Sequence, residues 1–140
     1  MTGRGRGVLV DTGMLVAVLN RSDPQHRRAA DWLARNRLPL LTVEAVLSET
    51  AFFLPARLRA GLAEMASRGV LKVHSPDTAG HARMAELFVK YTDQDPDWAD
   101  LALVWLAETA GVNQIATLDV ADFSVYRING RRRFEMALLA

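Results

Sequence analysis

The sequence predicts an α/β protein, a three-layer sandwich around a mainly parallel central sheet. Short apolar runs rich in β-formers alternate with segments whose apolar residues recur at helical spacing, the pattern of strand–helix units. The 140 residues suit one domain spanning 1–140, and no internal repeat, low-complexity stretch or linker divides them. Half of the residues are hydrophobic and 24% are charged, a globular composition that argues against disorder.

Each element follows from local signals. Val8 to Val10 is a short β-rich run ending at Asp11, as a buried parallel strand reads. An apolar helix follows from Met14 to Leu19. Asp23-Pro24 places an N-cap and an N1 proline before a helix whose apolar stripe includes Ala29, Trp32 and Leu33. Leu38 to Leu41 is the second strand, and Thr42 caps a helix running through Leu54. Past Pro55, the spacing of Leu58, Leu62 and Met65 predicts a helix ending at Gly69. Val70 to Val73 is the third strand. Ser75-Pro76 opens a helix to about Tyr91, and Asp95-Pro96 opens one to Gly111. Gln114 to Thr117 is the fourth strand and Val125 to Ile128 the fifth.

Composition narrows the chemistry. Cysteine is absent, so a disulfide scaffold, a thiolate zinc site and a cysteine nucleophile are excluded. Arg4 and Arg6 before Val8–Leu19 loosely imitate a signal peptide, but Asp11 interrupts the stretch and no small-residue cleavage site follows. No run reaches the ~18 apolar residues of a membrane span. The expectation is a cytoplasmic protein with no membrane partner.

The net charge of +1 conceals an asymmetry. From Tyr91 to Tyr126 there are seven acids (Asp93, Asp95, Asp97, Asp100, Glu108, Asp119 and Asp122) and no Lys, Arg or His. Arg127, Arg131, Arg132 and Arg133 follow at once. A solvated acidic face beside a basic tail explains such a pattern without function; metal and nucleic acid explain it with one.

Topology favours the second explanation. Ligands of open α/β sheets bind beyond the carboxyl ends of the strands. Asp11 closes strand one, and Asp119 lies just past Thr117 at the end of strand four. The helix after Pro96 starts at the same edge with Asp97 and Asp100, three apart on one face. The helix after strand two brings Glu44 and Glu49. Crowded carboxylates raise one another's pKa, and a hard divalent cation is the common compensation. Bound metal activates water and stabilises the oxygens of an in-line phosphoryl displacement. The residues thus point to a carboxylate-ligated metal phosphodiesterase.

Four stretches, VLVDTG, LLTVEAVLSETAFFL, DWADLALVWLAE and IATLDVADFSVYR, resemble in content, order and spacing the PIN-domain family, especially its VapC-type toxins. The resemblance implies a Mg²⁺- or Mn²⁺-dependent ribonuclease acting on RNA, with metal-bound water attacking the phosphodiester to leave a 5′-phosphate and a 3′-hydroxyl. It matches Asp11, Glu49, Asp100 and Asp119 to the family's four acids, as metal ligands and catalytic residues. Thr12 matches the hydroxyl residue that follows the first acid. Thr12, Glu44, Asp97, Thr117, Asp122 and Arg127 are the candidates for supporting those acids or touching substrate. A cognate antitoxin and a homodimer are partners implied by resemblance alone.

Geometry and resemblance disagree at one acid. A rise of about 1.5 Å per residue puts Glu49 roughly 10 Å further along its helix than Thr42, which favours Glu44. The resemblance selects Glu49, and a helix tilted across the sheet edge reconciles the two.

Functionless explanations compete at several positions. Asp97 in a first helical turn favours the positive helix end regardless of function. Asp119 and Asp122 are also plausible caps. His26, His74 and His81 lack ligand spacing, and Trp32, Trp98 and Trp105 fit core-facing helix positions better than base-stacking platforms. The Arg cluster suits RNA phosphate, a solvated tail or a brace for the acidic rim. Two other functions share the fold class. An aspartate-nucleophile phosphatase would need a second Asp where Gly13 stands. A non-catalytic regulatory or binding module would tolerate loss of the acids, but all four positions are filled.

Overall fold

The computed structural model describes residues 5–139; Arg4 lies outside them. The expected α/β architecture is present. Strands β1 (Val8–Val10), β2 (Leu40–Val43), β3 (Leu71–His74), β4 (Gln114–Ala116) and β7 (Glu135–Met136) form one sheet in the order β3-β2-β1-β4-β7. Every pairing in it is parallel. β1 is central and its residues are fully buried, which explains its unbroken apolar run. The chain moves outward from β1 to β2 and β3, then returns to the other side of β1 as β4. The order therefore reverses between β1 and β4, the place where open parallel sheets form a crevice.

Helices α1 (Thr12–Leu19), α2 (His26–Arg35), α3 (Glu44–Phe53), α4 (Arg59–Ser67), α5 (Thr78–Lys90), α6 (Trp98–Ala110) and α7 (Val120–Val125) flank the sheet. Within α6, Leu101, Ala102, Leu103, Val104, Leu106 and Ala107 are all buried. A helix apolar on most of its circumference belongs inside, and α6 packs against α3, α5 and β2. Gly111 at φ 69° ends it by adopting the left-handed conformation.

Boundaries differ from expectation for identifiable reasons. β2 runs two residues later than Leu38 to Leu41, and Thr42 is a strand residue rather than a cap. Its hydroxyl donates to the Val10 carbonyl at 2.8 Å, so strand pairing uses the group that capping would need. The prolines mark turns ahead of helices rather than first helical residues. Asp23 accepts from the Gln25 amide at 2.8 Å, and α2 begins only at His26. The caps of α5 and α6 are Asp77 and Asp97, not Ser75 and Asp95.

The fifth strand is the largest correction. Only Arg127–Ile128 of the expected segment is a strand (β5), and it pairs antiparallel with β6 (Arg132–Arg133) in a separate hairpin. β7 takes the sheet edge instead. The hairpin turn explains this: Asn129 at φ 53° and Gly130 at φ 72° form a tight turn of the kind Asn-Gly favours. Trp98, expected in the core, is 56% exposed.

Two helical glycines test this packing. A Cβ on Gly80 would stand 2.7 Å from Trp105 Nε1 and 2.9 Å from its Cε2, whereas at Gly61 the nearest atom is 3.7 Å away. Helix propensity favours alanine over glycine by up to about 1 kcal/mol at both sites. At Gly80 the collision with a rigid indole reverses the sign, since overpacking costs about 1–3 kcal/mol. Urea denaturation should show Gly61→Ala stabilised by roughly 0.5–1 kcal/mol and Gly80→Ala destabilised by about 1–2 kcal/mol.

Candidate active site

Asp11 is the N-cap of α1 and is 6% exposed. One carboxylate oxygen accepts from the Met14 amide at 3.1 Å, and the other accepts from the Thr117 hydroxyl. Thr117 Oγ1 in turn accepts from the Asp119 amide at 2.9 Å. One buried threonine therefore ties the ends of β1 and β4 together across the reversal in strand order.

Two other candidate acids are also helix caps. Asp97 accepts from the Asp100 amide at 2.7 Å, and Asp119 accepts from the Asp122 amide at 3.2 Å. The first turn of a helix offers amides without intrahelical partners and a positive end of the dipole, so carboxylates are stable there. Three helices starting at one edge bring their cap carboxylates to one place. Asp100, one turn into α6, and Asp122, one turn into α7, extend the group.

Asp11, Thr12, Glu49, Asp97, Asp100, Asp119 and Asp122 all line one open cleft of about 790 Å³. Its walls also include Val16 and Asn20, so it continues from the sheet edge along the length of α1. That extension resolves the Glu44–Glu49 conflict. Glu49 reaches the cleft alongside Phe53, whereas Glu44, exposed in the first turn of α3, does not line it.

Arg127 is also absent from the cleft. Its guanidinium donates to the carbonyls of Ser124, Val125 and Tyr126 at 2.7–3.1 Å, closing the C-terminal end of α7. Reading the sequence alone missed Asn20, Ser22, Asp23 and Phe53, which line the cleft. It also missed Tyr126, whose buried hydroxyl faces Asp100. Asp23 was visible only as a helix N-cap; nothing in the sequence pattern marks Tyr126.

The acids perturb one another. Burial pushes Asp11 up to about 6, opposed by the bonds from Thr117 and Met14 and reinforced by the charge on Asp119. Asp100 rises to about 8, first from burial, then from Asp97, Asp11, Asp122 and Asp119. Asp122 is raised by burial and by its contact with Asp119. Burial and the acids Asp100, Asp122 and Asp97 hold the Tyr126 phenol well above its usual range. Among the described residues, no Lys, Arg or His lines the cleft.

The cleft offers carboxylate and hydroxyl oxygens, the donors preferred by Mg²⁺ and Mn²⁺. The Thr12 hydroxyl oxygen is buried beside Asp11 without a hydrogen-bond partner. Among the described residues, no three Asp, Glu or His side chains stand close enough together to enclose an ion. A fully protein-made cage is therefore absent among them. Mg²⁺ binding through one or two carboxylates plus waters fits this spacing.

The fold and cleft define a class of protein: a parallel α/β sandwich with carboxylates gathered where its strand order reverses. The chain belongs to the PIN domain family, which residues 8–128 match. It is similar to Ribonuclease VapC26 of Mycobacterium tuberculosis, with 28% identity over 132 residues, 91% of this chain and 97% of that protein. Its fold is similar to that of Mycobacterium tuberculosis VapC20, a Sarcin-Ricin loop cleaving toxin. That match has a TM-score of 0.74 at 19% identity and covers 81% of this chain and 91% of that one. The chain of a DNA-bound VapBC structure from Salmonella typhimurium matches with a TM-score of 0.64 at 20% identity, over 94% of this chain and 98% of that one. Among the described residues, no helix is long and apolar enough to cross a membrane.

The raised carboxyls make stability depend on pH. Asp11 and Asp100 bind a proton more tightly in the folded chain than in the unfolded one. Between the unfolded value near 4 and the folded values of about 6 and 8, the folded state holds more protons, so stability falls as pH rises. Melting in the presence of chelator should show a loss of about 2–4 kcal/mol between pH 4.5 and 8.5, after discounting for the partial exposure of Asp100. Asp100→Asn should flatten the upper part of this dependence.

Proposed function

We propose that the protein is a metal-dependent ribonuclease that hydrolyses RNA phosphodiester bonds, and that it is the toxin of a toxin–antitoxin pair. The observation that carries this reading is the convergence of Asp11, Glu49, Asp100 and Asp119, from four separate segments, on one open cleft that no Lys, Arg or His among the described residues lines. Similarity to VapC ribonucleases supports RNA as the substrate and a cognate antitoxin as a partner. The DNA-bound VapBC neighbour supports the second point in particular.

Asp11 and the acids facing it would hold Mg²⁺ or Mn²⁺, which would supply positive charge for an arriving phosphate and a means of activating water. The chain's own residues prepare that arrangement. Asp11 is fixed in direction by Met14 and Thr117, leaving little rotational freedom to lose when a ligand binds. Thr117 also holds the turn carrying Asp119. Asp97 fixes the first turn of α6, which presents Asp100. Thr12, Asp97, Thr117 and Asp122 act by supporting the ligands; Glu44 and Arg127 have no such place in the cleft.

Purified protein should cleave single-stranded RNA with Mn²⁺ or Mg²⁺, leave 5′-phosphate ends and stop on addition of EDTA. Asp100→Asn should reduce cleavage to background and relieve growth arrest on expression. Thr117→Val should retain the fold and lose roughly 10–100-fold in activity, as expected when a ligand's orienting partner is removed. Intact RNA across varied sequences with both metals, together with no metal binding, would replace this reading by a non-catalytic binding module.

A further inference from the structure

The β5–β6 hairpin and its turn carry three successive arginines, none of which is in an ion pair among the described residues. Arg131, Arg132 and Arg133 are exposed. A Cβ on Gly130 would meet Lys90 Nζ at 3.7 Å, so a fourth cation lies beside the turn. Among the described residues, none of these four groups forms an ion pair; the three salt bridges involve only Arg68 and Arg83. This removes the possibility that the arginines brace the acidic rim.

A hairpin with two-residue strands does not hold its shape alone, and this one is anchored from beneath. Glu108 Oε2 accepts the Asn129 amide at 2.7 Å, while Arg83 grips the same carboxylate with Nε and Nη2 at 2.8 and 2.9 Å. The Arg127 amide donates to the Tyr91 hydroxyl at 2.9 Å. Ile128 and Phe134 are buried, and the Phe134 ring meets Phe123 edge-on at 5.5 Å. The backbone is thus fixed while the arginine side chains remain in solvent.

The hairpin follows directly from a helix that begins in the cleft. α7 starts among the cleft acids at Asp119 and Asp122 and ends at Tyr126, the residue before β5. The strand register returns Arg133 opposite Arg127, within about 5.5 Å between Cα atoms. A nucleic-acid strand lying in the cleft would pass from an acidic floor onto this basic edge. Exposed cations on an anchored backbone suit the phosphate backbone of a nucleic acid, whose binding depends on charge rather than base identity.

We propose that Arg131, Arg132 and Arg133, with Lys90, form a backbone-binding edge that grips the phosphates of single-stranded RNA flanking the scissile bond. This rests on the ribonuclease reading above. It adds a substrate-positioning surface outside the acidic cleft, acting on affinity rather than on bond cleavage.

The test is fluorescence anisotropy of a single-stranded RNA oligonucleotide on the full chain across a salt series. Asp100→Asn is present in every protein so that RNA stays intact. Replacing Arg131, Arg132 and Arg133 by Ala should weaken binding roughly tenfold or more near ~0.1 M salt and reduce the slope of log affinity against log salt by about 2. The corresponding triple Lys variant should keep the slope. It serves as the second variant should the Ala protein fail to fold. In separate cleavage assays with Asp100 retained, the triple Ala variant should raise KM with kcat little changed. Unchanged RNA affinity and slope in a folded Ala variant would overturn the proposal; unchanged RNA binding with loss of an acidic protein partner would overturn it in favour of that partner. If wild-type protein cleaves no RNA but the Ala variant still loses RNA affinity, the ribonuclease reading fails while the binding edge stands.

Discussion

The Asp11 carboxylate, held by the Met14 amide on one side and the Thr117 hydroxyl on the other, is the contact on which the site depends. It starts α1, and it joins the ends of β1 and β4 where the strand order reverses. A buried carboxylate without such partners would be expensive to keep. With them it becomes a fixed point from which the cleft can be described. Thr117 transmits that fixing to Asp119 by accepting its amide.

The same economy of parts recurs around the cleft. Asp97 and Asp119 each satisfy a helix's free amide while lining the site. Structural and functional explanations of these acids are therefore not alternatives: capping supplies the position, and convergence of the caps supplies the chemistry. The unfavourable part is burial first and mutual repulsion second, which together raise the Asp11 and Asp100 carboxyls. Protonation relieves this cost, and a cation bound among the carboxylates would relieve it too, coupling binding to stability.

Much of the fold was legible because it follows from periodicity and punctuation. The apolar run at Val8–Val10 and the apolar length of α6 required burial, and Gly111 stopped α6. The errors came where two local roles competed. Thr42 reads equally as cap or strand, and only the partner carbonyl at Val10 decides. Asp-Pro reads as a helix start, but at Asp23 and Asp95 it forms a turn ahead of the helix. Val125–Ile128 has strand propensity, yet the Asn129-Gly130 turn folds it into a hairpin and yields the sheet edge to Glu135–Met136.

The sequence by itself determined which strands end in acids, and hence that Asp11, Asp100 and Asp119 would face one edge, because parallel strands and their following helices have fixed directions. By lacking cysteine it also removed thiolate ligands and left oxygen ligation as the main route open. Tertiary structure alone decided the extent of the cleft, which Glu49 lines and Glu44 does not. It alone turned Arg127 away and left Arg131–Arg133 unpaired. Those outcomes depend on how α1, α3 and α7 sit against the sheet, a matter of packing between distant segments that local patterns do not encode.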